Sequence, residues 1–304
     1  MFRFLLCKQQ SSAAGFGLFA GGTVYSTAGP HYSVSDKYAY STSAVTSGTS
    51  LSTARGAGYG TSSLSIGYIG GGGSPNSFVV DKYQFSNGSV SSGTNLSQAR
   101  IHLAAAGIGT VSIFCGGYTT SVVSTTDKYT HAGDSVTVGT TLTAKYVHAG
   151  CSSSSVGYFA GGLNSSFSTV GTTQKYTYSS DSVSSGTSII TPRYNLAAAS
   201  SSTTGYFACG LGGGNRLNSV VKYTFSGDSV SLGTSLNTAK EAPSGACNST
   251  KGIFGGGFTG GVGSTNTKTT EEYTFSGDAV IVGTNLLGAA RYSIMTCSST
   301  PGHL

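Results

Sequence analysis

Hydrophobic and polar positions recur in a fixed frame along the chain. A run of small residues such as Asn195–Ser201 is followed by a short apolar segment that ends at glycine, as in Gly205-Tyr206-Phe207-Ala208. Next comes a Lys-Tyr-x-Phe segment, then a stretch in which valine sits among serines before a Gly-Thr pair. The clearest copy of this second half is Lys222–Leu236; the others begin at Lys37, Lys82, Lys128, Lys175 and Glu272. From its tyrosine (Tyr38, Tyr83, Tyr129, Tyr176, Tyr223, Tyr273) to the glycine of Gly-Thr the distance is ten residues in every copy. Period-two alternation predicts strands, and helical periodicity is not found.

Each repeat therefore reads as four strands. Tyrosine and phenylalanine two apart share one side of the third strand, and so supply an aromatic pair to a layer between repeats. Asn87-Gly88, Gly133-Asp134, Gly227-Asp228 and Gly277-Asp278 mark tight hairpins between the third and fourth strands. The repeat period of 45 to 50 residues is that of propeller blades. Small residues in the first strand suit the crowded axis of such a ring, and aromatics suit the wider wedge outside it. The expectation is an all-β, six-bladed β-propeller of four-stranded antiparallel blades.

Ring closure is legible at the ends. In the interior repeats a basic residue (Arg55, Arg100, Lys145, Arg193, Lys240) precedes the second strand by twelve residues. A sixth, Arg291, is followed by Tyr292–Ser299, a good first strand, and the chain's beginning supplies the remaining three from near Gly17. Residues 291–299 are thus expected to complete the first blade, in preference to Phe2–Cys7. The predicted division is an extension at 1–16, then blades at 17–54 plus 291–299, 55–99, 100–144, 145–192, 193–239 and 240–290.

Composition narrows the function classes. A net charge of +6 with only 9% charged residues gives no clustered basic face, so nucleic acid is not an expected partner. Six cysteines (Cys7, Cys115, Cys151, Cys209, Cys247, Cys297) lie in apolar or small-residue segments, which predicts buried free thiols and a reducing compartment. No Cys-x-x-Cys spacing suggests zinc. The apolar run after Met1 is too short for a secretory signal, and no stretch approaches the roughly 20 apolar residues of a membrane helix.

The glycine doublet, the third-strand tyrosine and the basic residue before each next repeat resemble the kelch repeat of galactose-oxidase-like propellers. The second kelch aromatic is replaced by Val136, Val183, Val230 or Val280, and the kelch tryptophan is missing. The resemblance implies the fold and leaves activity open. The copper site of galactose-oxidase relatives, with its tyrosine and histidine ligands, does not map onto this chain residue by residue. No serine stands in a nucleophile-elbow context, so no catalytic residue and no cofactor are expected. Low charge and a Ser/Thr/Gly-rich surface look like propeller proteins of bacteriophage virions and tail appendages. That likeness implies contact with a host-surface glycan or another virion protein, and folding in the host cytoplasm. An intracellular kelch-type interaction scaffold is the alternative; a propeller-based oxidoreductase or lyase ranks third.

Two sets of residues are candidates for a site. Loop length varies between the glycine doublet and the tyrosine, with spans of 16, 11, 12, 14, 13 and 16 residues. Those loops share one face of the disc and carry Tyr25, Tyr32, Phe78, Tyr118, Phe167 and Phe258, a mixture suited to carbohydrate or adaptable protein contacts. The second set is the basic rim of Arg55, Arg100, Lys145, Arg193, Lys240 and Arg291. It reads either as an anion-attracting ring or, favoured by its occurrence in every blade, as a brace between blades. Lys37, Lys82, Lys128, Lys175 and Lys222 read as packing stems with solvated heads, and Asp134, Asp181, Asp228 and Asp278 as turn formers. Of His31, His102, His131, His148 and His303, only His102 and His148 are expected to approach one another.

Overall fold

A computed structural model describes residues 15–24, 30–73, 75–260 and 265–300. Six four-stranded antiparallel sheets surround one axis, which makes the chain a six-bladed β-propeller. From the axis outward, blade 2 comprises Tyr59–Ser62, Ile66–Gly70, Val80–Gln84 and Val90–Ser92. Blade 3 comprises Ala104–Ile108, Val111–Cys115, Thr126–Thr130 and Ser135–Val138. Blade 4 runs Ala149–Ser152, Val156–Ala160, Thr173–Thr177 and Ser182–Gly186. Blade 5 runs Ala197–Ser200, Thr204–Ala208, Val220–Thr224 and Ser229–Gly233, and blade 6 Ser244–Cys247, Lys251–Gly255, Thr270–Thr274 and Ala279–Val282.

Blade 1 is assembled from both ends of the chain. Phe16–Ala20, Ser35–Ala39 and Val45–Gly48 are its outer three strands, and Met295–Ser298 is its inner one. The register Leu18↔Cys297 joins the ends as one antiparallel sheet, so the ring closes without an open edge at the axis. Phe2–Cys7, the rival for the inner strand, lies outside the described residues.

The core lies between blades. Tyr158 of blade 4 stacks on Phe225 of blade 5, with ring centroids 4.4 Å apart, and meets Tyr223 at 5.1 Å. Tyr206 meets Phe275 and Tyr273 of blade 6 in the same way, at 4.4 and 5.2 Å. In blade 3 His131 stands where its sisters have phenylalanine or tyrosine, stacked 4.3 Å from Tyr68. Each such pair adds about 1 kcal/mol beyond the burial of its area.

In blades 3 to 6 the ten-residue spacing also serves a contact between blades that turn formation alone does not cover. The hairpin aspartate of one blade accepts from its own tyrosine and reaches the Gly-Thr pair of the blade before it. Asp134 accepts from Tyr129 and from the Thr94 amide at 3.1 Å; Asp228 does so from Tyr223 and Thr187, and Asp278 from Tyr273 and Thr234. Lys82, Lys175 and Lys222 of the preceding blades complete these clasps through ion pairs. These three lysine heads are therefore partnered across the blade boundary rather than simply solvated. Blade 1 has Ser43 where the aspartate would be, and blade 6 has Glu272 where the lysine would be. Tyr38 donates to Glu272 at 2.6 Å and Ser43 donates to it too, so the acid crosses the closing boundary from the opposite side.

Candidate functional site

The face that carries the variable loops is built on the six basic residues, all at most 1% exposed. Each turns into its own blade. Arg55 donates to the Ile69 and Gly71 carbonyls at 2.9 and 3.1 Å and pairs with Asp81 at 2.7 Å. Arg100 pairs with Asp127 at 2.9 Å, Lys240 with Glu271 at 3.1 Å and Arg291 with Asp36 at 2.9 Å. The acids sit just before the Lys-Tyr pair (Glu-Tyr in blade 6), a signal that the sequence reading left unused. Blades 4 and 5 have Gln174 and Val221 at that position. Arg193 accordingly bonds the Ser219 carbonyl and hydroxyl, both at 3.0 Å. Lys145 has only the Thr172 and Phe159 carbonyls, at 3.1 and 3.4 Å, and burial pulls its ammonium down to about 8. In this geometry the rim ties the second strand to the third within a blade and presents no cationic ring to solvent.

Two residues after each basic residue, the backbone enters the left-handed region: Ala57, His102, Val147, Asn195, Ala242 and Ser293 have φ between 48° and 59°. Such a conformation costs on the order of 1 kcal/mol per residue. It is held by a cycle of main-chain bonds, because each of these amides donates to the equivalent carbonyl of the preceding blade. The cycle runs from Ser293 through Ala242, Asn195, Val147, His102 and Ala57 back to Ser293, with lengths of 2.5 to 3.2 Å. No shared side-chain chemistry marks these positions in the sequence.

Inside this collar lies a cavity of about 60 Å³, lined among others by His102, His148, Asn195 and Ser293. Tyr59 forms its floor. The tyrosine leaves the inner strand of blade 2 and reaches Gly150 of blade 4, its hydroxyl 3.3 Å from that amide and 3.4 Å from that carbonyl. Glycine is required at 150, since a Cβ would lie 2.5 Å from the Ala105 carbonyl of the next inner strand. A second cavity of about 70 Å³, walled by small residues and hydroxyls including Thr61, Ser152, Ser200 and Ser298, lies on the other side of Tyr59.

His102 and His148 do line one cavity. Desolvation drives both imidazoles toward the neutral form, His102 down to about 4 and His148 well below its usual value. His148 lies 3.6 Å from the Cys115 sulfur through Nε2. Burial pushes the Cys115 thiol up to about 12, so it stays protonated. All five described cysteines are buried; Cys7 and His303 lie outside the described residues.

The loop aromatics gather in two places. Tyr118 and Tyr146 approach to 5.6 Å, and both face Phe167, at 6.5 and 6.0 Å. This triplet spans the boundary of blades 3 and 4 and reaches the collar through His102, 6.3 Å from Tyr146. Phe167 is 58% exposed and has φ 58°, an uncommon backbone state for so bulky a residue. Tyr118 is anchored because its amide donates to the Ile101 carbonyl at 2.8 Å. Tyr146, directly after a basic residue, was not singled out from the sequence. Phe258, in contrast, is only 7% exposed, covered by the Arg216 guanidinium at 4.3 Å and the Tyr292 ring at 5.6 Å. Phe78 is exposed and Tyr32 half-buried, apart from both groups; Tyr25 lies outside the described residues.

Among the described residues no three His, Cys, Asp or Glu side chains are arranged to hold a metal ion, and no helix is long and apolar enough to cross a membrane. No protein-family model matches the chain, and no curated protein matches it.

Proposed function

We propose that this propeller is a non-enzymatic binding module of kelch-like type, and that its loop face holds a glycan. The observation that carries this reading is the triplet of half-buried Tyr118 and Tyr146 with exposed Phe167, beside a cavity lined by no Asp, Glu, Lys or Arg. Sugars present an apolar C–H face to aromatic rings and hydroxyls to nearby polar groups. A protonated thiol and two neutral histidines give the site no thiolate nucleophile, which favours binding over covalent chemistry. The low charge and the Ser/Thr/Gly-rich surface favour a disc mounted on a larger assembly such as a virion appendage, where the glycan belongs to a host surface.

A glycan array tests this reading with the native chain and a Phe167→Ser variant. The expected result is binding to a defined glycan class and a roughly tenfold loss in the variant, the size of one good stacking contact. Equal array profiles for the two proteins, or no bound glycan at all, would remove the basis for the proposal.

A further inference from the structure

We infer that the collar cavity is the specificity pocket of that face, that it takes the uncharged hydroxyl-bearing end of the glycan, and that His148 is the residue that recognises it. The inference rests on the glycan-binding reading above and goes beyond it in naming the ligand's charge and its reader.

The sixfold pattern shows where His148 is anomalous. Its position is Gly58, Leu103, Leu196, Pro243 and Ile294 in the other blades, all of them apolar or without a side chain. Leucine there packs against the glycine doublet of the preceding blade, where a Cβ on Gly71 would lie 2.7 Å from Leu103. His148 is only 4% exposed, and its Nδ1 has no hydrogen-bond partner in the protein. A buried polar nitrogen without a partner costs about 1 to 3 kcal/mol, so an apolar residue at this position would hold the fold better. With the Cys115 thiol protonated and 3.6 Å from Nε2, the tautomer that lets the thiol donate puts the ring hydrogen on Nδ1 and makes that atom a donor. His148 lines the cavity, and in this reading a hydroxyl of the guest becomes the acceptor that the buried Nδ1 lacks.

Other departures from the repeat fall at the same boundary. Lys145, like Arg193 in the next blade, lacks the carboxylate that Arg55, Arg100, Lys240 and Arg291 possess; unlike Arg193 it bonds main-chain carbonyls alone. The aromatic triplet borders the collar here, and His102 joins the two. None of the residues lining the cavity is Asp, Glu, Lys or Arg, and both histidines are neutral. The nearest cation, the Lys145 ammonium, acts on His148 electrostatically but is turned to the Thr172 and Phe159 carbonyls and does not line the cavity. A carboxylate or phosphate would lose its hydration there without a contacting counter-charge, whereas a sugar hydroxyl exchanges water for imidazole at little cost. A volume of about 60 Å³ admits a few waters or the hydroxymethyl end of a hexose, with the rest of the sugar lying over the aromatic triplet.

The test is saturation-transfer NMR with titration calorimetry, using the methyl glycosides of glucose, galactose, mannose and N-acetylglucosamine as probes, with glucuronate and sialic acid as the charged comparison. The variants are His148→Leu and His102→Asn, each taking its residue from a sister blade (Leu103 and Asn195), so that the fold is retained. The expected result is binding of at least one neutral glycoside. His148→Leu weakens it roughly tenfold or more while leaving thermal stability equal or higher. A charged sugar binding as well as the neutral ones, or His148→Leu binding like the native chain, overturns the inference. If Phe167→Ser abolishes glycan binding and His148→Leu does not, the binding face stands and the pocket assignment fails. If neither variant changes binding, both fail.

Discussion

The Ala57 amide donates to the Ser293 carbonyl at 3.0 Å, joining residues from nearly opposite ends of the chain. This link converts a row of five main-chain bonds into a cycle of six, and it sits where the inner strand Met295–Ser298 completes blade 1. Ser293→Pro removes one donor of the cycle and demands φ near −65° where the native value is +51°. The expected cost is about 3 kcal/mol or more, read as a lower urea midpoint. Hydrogen exchange adds an independent readout: the collar amides of the native chain should exchange only through global opening, and the variant should release them together.

Left-handed backbone at Val147 conflicts with its β-branched side chain, and the collar alone holds it there. Val147→Asn introduces the residue found at 195 in the next blade, which tolerates this conformation. The strain relieved and the apolar burial lost are each about 1 kcal/mol, so thermal unfolding should move little in either direction. Val147→Ile keeps the strain and adds bulk, and should lower the melting temperature.

Glu272 stands in the place of the clasp lysine, and neutral Ser43 in the place of the clasp aspartate. Glu272→Lys removes the acceptor for Tyr38 and Ser43 and places a second ammonium beside Lys251, which pairs with Glu272 at 2.6 Å. The single substitution should cost about 2 kcal/mol. Adding Ser43→Asp rebuilds the clasp seen at Asp134, Asp228 and Asp278 and should recover a good part of that loss. A double-mutant cycle on urea unfolding measures the recovery, and strict additivity would show that the two positions do not act together.

Acid should unfold the protein in two stages. Burial alone would raise the carboxyls of Asp134, Asp228, Asp278 and Glu272, but the ammoniums of Lys82, Lys175, Lys222 and Lys251 and neighbouring hydrogen bonds outweigh it and leave all four below their usual values. Carboxyls depressed in the folded state contribute stability above their unfolded values near 4 and lose it as pH falls through the folded ones. The histidines act earlier. His102, brought from 6.5 down to about 4, is protonated first in the unfolded chain, so stability declines between those values as pH drops. His148 is lowered in the same direction, and His148→Leu should make this upper stage shallower, with the His102 part remaining, without altering the lower one. Urea midpoints measured from pH 8 to pH 3 check both.

The blades were legible because their determinants are local: the third-strand tyrosine, the Gly-Thr pair and the hairpin lie within one copy, and copies repeat. Closure by residues 291–299 was legible for the same reason, since Arg291 opens a strand whose partners are missing nearby. The direction of the basic rim was not, because Arg55 is read correctly only beside Asp81, a strand away. The collar was hidden altogether, for Ala57, His102, Val147, Asn195, Ala242 and Ser293 have nothing in common except backbone geometry imposed by the ring. Tyr118, Tyr146 and Phe167 come together only because blades 3 and 4 are neighbours, so loop composition could suggest binding but could not separate this group from the covered Phe258.

The most direct measurement is a crystal structure of the protein with the glycan that binds most tightly on the array. The account predicts sugar density across Tyr118, Tyr146 and Phe167 with a hydroxyl within hydrogen-bond distance of His148 Nδ1. Density on the hairpin face or along the outer strands, with the collar cavity holding only water, would contradict it.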